Sequence, residues 1–485
     1  SRWREPQTLM LKFDTIIRDP VHGDIPLTKE ELSILDTEEM QRLRNVRQLG
    51  ATYLIYPGAQ HSRFEHSIGT AHLASRMIRS INFERDRQDD SRLDGFDQHG
   101  ERVVRLAALV HDSTHLPFGH NIEDQTGLLP RHDIPDRFAK MFSSDTSLGR
   151  ALDRTGAKQD VMSILAPSLV PENKRVPQYW KDLVSGTIDA DNLDYLKRDS
   201  LFTGLKIDYD DRVFSVFRVD RNSQQLYVDL GRSGYLKEAV LSEIVRCLEA
   251  RFYFSERVYY HHAKIAAGSL VAKAVEIALL ENAISFEQLQ TSTDAGLFDL
   301  LANAEISDSQ SRHLLELYMH AIKRRQLPKR VSVFPVYANA DAQKKLVADF
   351  FGAGSADYRR EVERKMTSEL QKQTGRLIPI MIYCPAAAMQ LKQARMLVHW
   401  PGDNSLTPLS SHSDKIPRLS DLEQSYGRMW KFYIHALGAD EHEMKLAREV
   451  SAQFFPDVNN VLTRDDSLSN ARSKSASEAA KEILK

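Results

Sequence analysis

Cysteine is nearly missing. Two residues, Cys247 and Cys384, cannot build a disulfide framework or a Cys-rich zinc site, so a reducing compartment is expected. Long apolar runs are missing too: no stretch approaches the ~18 uninterrupted apolar residues of a membrane helix. The opening SRWREPQTLMLKFD has no apolar core of signal-peptide length. A cytoplasmic location, away from membranes, is the expectation. Charge of one sign is also lacking. The 65 Lys and Arg against 67 Asp and Glu leave a formal net charge of −2. That balance does not indicate nucleic acid as a partner, although a local basic patch stays open. What the 485 residues do hold is histidine, 17 in all and unevenly spread.

The length suits about three domains, or one large helical body with appendages. IIRDPVHGDIPL reads as a hairpin or extended arm. QLGATYLIYPGAQHSRFEHS breaks helicity at Gly50, Pro57 and Gly58 before a helix starts near Arg63. The charged segment 83–101 reads as an exposed insertion, VVRLAALVHD as a buried helix, and 216–230 as a hairpin. A long helical stretch fills 233–282. RVSVFPVY and RLIPIMIYCP are strand-like and flank a helical 341–372, whereas 402–417 reads as linker and 419–455 as helix. The expected organisation is therefore a core with an N-terminal arm over 1–282, a helical extension over 283–326 and an α/β appendage over 327–400. A linker and helical region (401–463) and a disordered tail (464–485) complete it. The fold class is mainly α, with small β-hairpins and a small α/β appendage in the C-terminal half.

Four residues together could form a metal shell: His66 in RFEHSIG, the adjacent His111 and Asp112 in LVHDSTH, and Asp191 in IDADNLDYLKRD. Neutral imidazoles and carboxylates from rigid elements suit a divalent metal, Mg, Mn or Fe, with Zn also admitted. Adjacent His and Asp lie about 100° apart in mid-helix, so both reach one ion only where a helix ends. Taken singly, each has a plainer reading: a hydrogen-bonded core histidine, a chance dipeptide, an N-cap aspartate at 189 or 191.

In combination, DPVHGDI, DTEEMQRLRNVRQLGATYLIYPGAQHSRFEHS, LVHDSTHLPFGH and IDADNLDYLKRD, in that order, resemble the HD-domain deoxynucleoside triphosphate triphosphohydrolases. The resemblance is to the branch of the vertebrate sterile-alpha-motif/HD-domain enzyme and its bacterial relatives, and it covers about residues 12–265. It implies an HD-domain helical core and, as metal ligands, His66, His111, Asp112 and Asp191. It implies His115 and His120 beside the triphosphate and in the proton transfers, Glu123 as an acidic partner orienting such an imidazole, and His132 as a further active-site histidine. Arg63 matches a phosphate clamp, and Gln48 and Leu49 match neighbours of the deoxyribose. Tyr195 and Asp199 match a sugar-contacting pair, and Tyr259 a tyrosine next to the base, with His261 or His262 as a polar neighbour. Asn192 stands where the vertebrate enzyme has a phosphate-binding lysine. Independently of the resemblance, Asp191, Tyr195 and Asp199 are spaced four apart and share one helix face.

The implied reaction is metal-dependent hydrolysis of a dNTP to deoxynucleoside and inorganic triphosphate. His120 would protonate the departing oxygen and His115 stabilise charge, although the sequence does not decide between the two. Asp36, Gln41, Arg44 and Arg212 match residues that hold an activating nucleotide, a dNTP or GTP, between subunits of a homo-oligomer, a tetramer being favoured. Two rivals remain at this stage: an HD phosphatase or phosphodiesterase acting on another nucleotide, and a catalytically weak nucleotide sensor or nucleic-acid-associated binding protein.

Overall fold

The N-terminal arm is an antiparallel hairpin of Thr15–Asp19 and Gly23–Leu27. Its turn is closed by Asp19, whose carboxylate accepts from the amides of Val21 and His22, and Gly23 takes the left-handed φ of 76° that the turn requires. The computed structural model describes residues 11–463 apart from 89, 127, 233, 353 and 387–394. The tail expected over 464–485 lies outside the described residues.

The core is built on the helix Arg63–Gln88, which packs against Gln98–Val110 on one side and Ala190–Thr203 on another. Its heptad-like run of Phe64, Ile68, Ala71, Leu73, Ala74, Met77, Ile78 and Ile81 is buried. The helix Lys29–Leu35 is fixed to this body by a buried two-pronged pair, Arg105 Nε and Nη2 on Glu31 at 2.6 and 2.9 Å.

The segment 83–101 is not an exposed insertion. The long helix continues to Gln88, Leu93 and Phe96 are buried, and Leu93–Asp94 pairs antiparallel with Phe217–Asp220. Its charges mislead because they satisfy one another and the core: Glu84 takes Arg87 and, from the neighbouring strand, Arg218. The 233–282 stretch is two helices, Glu238–Phe254 and His262–Leu280, joined by a single π-type turn over Ser255–Tyr259.

The appendage is a three-stranded antiparallel sheet with Lys431–Ala436 between Lys329–Pro335 and Ile380–Tyr383. The helices Ala340–Phe351, Ser355–Thr374 and Glu441–Phe454 complete it. The sheet takes its middle strand from beyond residue 400, and the stretch expected as helix over 419–455 is helical at Pro417–Gly427 and Glu441–Phe454 with a strand between them. KFYIHA is a six-residue strand, buried on both faces, whose continuous apolar run has no period to separate it from helix. Between the appendage's two halves the chain returns to the core. Leu397–His399 adds parallel to Gln225–Asp229, and Leu409, Leu419 and Leu422 join the main core cluster. No helix among the described residues is long and apolar enough to cross a membrane.

Candidate active site

His66 lies in the first turn of its helix, His111 is the C-cap of Gln98–Val110, Asp112 follows in the turn, and Asp191 opens the helix Ala190–Thr203. The N-cap of that last helix is Asp189, which accepts from Asn192 N at 2.7 Å and so leaves Asp191 free of capping duty. The four side chains converge. His66 Nε2 stands 3.0 Å from Asp191 Oδ1 and 3.8 Å from Asp112 Oδ2. His111 Nε2 stands 3.4 Å from Asp112 Oδ1 and 3.8 Å from Asp191 Oδ1.

Both Nε2 atoms are buried without a hydrogen-bond partner, while both Nδ1 atoms are held. His66 Nδ1 meets Asp194 Oδ2 at 2.7 Å, and His111 Nδ1 meets the carbonyl of Ala108 at 2.6 Å. A held Nδ1 and an orphaned Nε2 facing two carboxylates is the arrangement of metal-ligating histidines, with the outer partner fixing ring and tautomer. Burial alone would depress His66, but Asp191 and Asp194 outweigh it and raise its pKa to about 10. The carboxylates thus favour a positive charge at the spot where a divalent cation would supply one. The residues present fit such an ion; His66, His111 and Asp112 form a group able to hold it, with Asp191 beside them.

Next to this shell lies a second histidine group, His115, His120 and His132. The rings of His115 and His132 stack at 3.6 Å, and His120 stands edge-on to both at 5.1 and 5.0 Å. Phe118 and Gly119 turn the intervening loop with φ of 59° and 43°. The left-handed φ disfavours any side chain at Gly119, and a Cβ there would meet Arg63 Nη2 at 2.7 Å and displace the guanidinium. The expected pairing of Glu123 with His120 is corrected by the geometry. His120 Nδ1 pairs with Asp124 one turn on, at 3.2 Å, and its side chain is 48% exposed. Glu123 points inward instead, 3.0 Å from His132 Nδ1, 3.6 Å from His115 Nδ1 and 3.5 Å from Arg137 Nη1. At the helix start the two carboxylates diverge by about 100°, which spacing alone could not assign. Burial opposes the charge on Glu123, yet His115 and His132 hold its carboxyl far below the usual range.

Asp112 and Asp191 of the first group and all three histidines of the second line one cavity of about 420 Å³ together with Gln48, Leu49, Arg63, Tyr195, Asp199 and Tyr259, whereas His66 and His111 meet it through those two carboxylates. Arg63 Nη1 donates to Asp112 Oδ2 at 2.5 Å, tying the expected phosphate clamp to a metal-shell carboxylate. Asp199 is engaged at both oxygens, by His61 Nε2 at 2.8 Å and by the Tyr259 hydroxyl at 2.6 Å. Asn192 is not brought to the cavity: it is buried, donates to Asp189 and accepts from the Tyr195 hydroxyl at 3.2 Å. His261 and His262 do not line it either. Of the residues expected to hold an effector, Gln41 bonds the Leu35 carbonyl and accepts from Arg44 Nε at 2.8 Å. Arg44 is exposed and lies over the Phe64 ring, and Asp36 and Arg212 are exposed.

Sequence reasoning missed the support behind His66. Asp194 also takes His22 Nε2 at 2.7 Å and both prongs of Arg198 at 2.9 Å, and Arg198 Nη1 reaches Asp19 at 2.8 Å. The DPVHG turn is thus wired through a fully buried network to a ligand histidine. The Asp194 and Arg198 spacing of four was the available signal. Lys264 and Tyr383, which also line the cavity, were missed as well.

Residues 63–155 match the HD domain family and residues 236–450 the HD associated region. The chain is 29% identical over 326 residues to an uncharacterized protein of Methanocaldococcus jannaschii, covering 66% of this chain and 60% of that one. It is 32% identical over 267 residues to the uncharacterized protein YwfO of Bacillus subtilis, covering 54% and 55%. It is 34% identical over 203 residues to the deoxynucleoside triphosphate triphosphohydrolase SAMHD1 homolog of Dictyostelium discoideum, covering 40% and 37%. It therefore spans 60% or less of the length of these relatives. A crystal structure of a hypothetical protein from Aquifex aeolicus shares the fold, with a TM-score of 0.60 at 20% identity over 90% of this chain and 99% of that one. The chain thus carries an HD domain, which holds the His66, His111 and Asp112 group, followed by an HD associated region.

Proposed function

We propose that the protein is a metal-dependent phosphohydrolase of the cytoplasm that cleaves dNTPs to deoxynucleoside and inorganic triphosphate. The observation that carries this reading is the pair of orphaned Nε2 atoms, on His66 and His111, facing Asp112 and Asp191 at the wall of a cavity that also holds three further histidines and Arg63. When bound, a divalent metal supplies polarisation of a phosphate oxygen and a more acidic water. The chain's own residues supply the rest. Arg63 offers its guanidinium to phosphate. His115 and His132, coupled through Glu123, balance charge on the phosphate chain. Hydrolysis at the α-phosphorus breaks the bond to the 5′-oxygen, which needs a proton; His120, oriented through Nδ1 by Asp124, presents its other nitrogen for that transfer. Tyr195, Tyr259 and Asp199 form the wall for the nucleoside. The likeness to proteins named dNTP triphosphohydrolase supports the substrate class. On the same reading, Asp36, Gln41, Arg44 and Arg212 hold an activating nucleotide between subunits of a homo-oligomer, a tetramer being favoured.

The test is product analysis on Mn- or Mg-loaded protein with each dNTP alone and in pairs. Deoxynucleoside plus triphosphate, lost in Asp112→Ala, is the expected result; monophosphate or pyrophosphate products would overturn it. Turnover only in mixtures would reveal the activator.

A further inference from the structure

The roles above leave two cations of the cavity lining unused, Arg131 and Lys264. Lys264 stands in the first turn of His262–Leu280, is half-buried, and lines the cavity alongside His120, Asp124 and Arg131. Among the described residues its ammonium makes no hydrogen bond or ion pair, and the carboxylate whose charge acts on it is Asp124. That carboxylate is already taken, by His120 Nδ1 and by Arg131 Nη1, each at 3.2 Å. Arg131 is paired a second time with Asp133, outside the cavity. Lys264 is thus the member of this group without a contact. Withdrawing an ammonium from water with no partner is costly, and such a group gains most from an anion delivered to it.

The geometry points to Lys264 as a substrate-binding residue that pairs with the phosphate chain of the nucleotide. Its surroundings favour phosphate over sugar or base: the carboxylate that acts on it, Asp124, is held by His120 and Arg131, which line the same cavity, whereas the carboxylate on the tyrosine wall, Asp199, is fully engaged by His61 and Tyr259. Burial draws the free amine down to about 8, against the pull of Asp124, so it is still mostly charged at neutral pH and an incoming polyanion would raise it again.

The inference rests on the triphosphohydrolase reading, and the experiment separates the two. Binding of inorganic tripolyphosphate to the metal-loaded full chain is measured by calorimetry for wild type, Lys264→Met and Lys264→Arg, with product analysis on the wild type and KM for a dNTP on all three. Lys264→Met is expected to weaken tripolyphosphate binding by about 10- to 100-fold and to raise KM more than it lowers kcat, with Lys264→Arg recovering most of the loss. Its melting temperature without ligand is expected to equal or exceed that of wild type, because the buried amine is gone; a purely structural role would lower it. Tripolyphosphate binding by Lys264→Met as tight as wild type, with triphosphate released by the wild type, overturns this inference alone. A wild type that neither binds tripolyphosphate nor releases it overturns both.

Discussion

Two histidine groups sit side by side, one behind the carboxylates of the cavity wall and one lining the cavity itself, and the difference lies in what holds each ring. In the first, His66 and His111 are gripped at Nδ1 by Asp194 and by the Ala108 carbonyl, and Nε2 makes no hydrogen bond but faces the Asp112 and Asp191 carboxylates. In the second, the rings lean on one another, and carboxylates approach Nδ1 of all three. Fixed rings with orphaned nitrogens suit an ion; rings sharing carboxylates suit protons and phosphate charge. Residue type is the same in both, so what distinguishes the two groups is their outer partners.

The sharpest way to break that contrast is Asp112→Ala, which should remove bound metal and drop turnover to background, read by metal analysis and product release together. Activity surviving without metal would collapse the distinction. His120→Ala should lower kcat by about 100-fold or more while bound metal stays at wild-type content. His120 is half in solvent, so its fold should persist; loss of metal in this variant would place His120 in the wrong group. Asp194→Asn should weaken metal affinity by about 10- to 100-fold, without touching the ion's own ligands, in a chelator competition. The smallest effect concerns pH. Burial and the neighbouring His115 depress His132 below its ordinary 6.5 more than Glu123 raises it. The unfolded chain then takes the proton first, so stability due to neutral His132 is present above 6.5 and is lost as the pH falls below it. Melting curves should show that acid-side slope flattened in His132→Asn; an unchanged slope would remove His132 from the titrating set.

Much of this was legible because the cavity is assembled from local blocks. RFEHSIG, LVHDSTH and IDADNLDYLKRD each carry a candidate ligand at a helix end, and the spacing of four places Asp191, Tyr195 and Asp199 on one cavity-facing side. What stayed hidden depends on long-range contact. The partner of His66 is Asp194, 128 positions away, and Asp194 sits within a block whose other residues drew attention. Glu123 and Asp124 are neighbours in sequence, so only the backbone's direction tells which histidine each one serves. The strand Lys431–Ala436 escaped because its five consecutive buried residues carry no period, and a central strand is defined by partners about 50 and 100 positions away.

That strand gives the molecule an unusual economy of parts. Tyr383, at the end of the neighbouring strand Ile380–Tyr383, forms part of the cavity wall, and its ring lies 6.0 Å from that of Tyr433 on Lys431–Ala436. Between those two strands the chain has gone back to the core and returned. No single cut therefore liberates either body whole. A protease nicking the return path would leave a two-piece protein still held together, and a deletion stopping short of residue 431 would unbutton the reaction chamber from the side farthest along the chain.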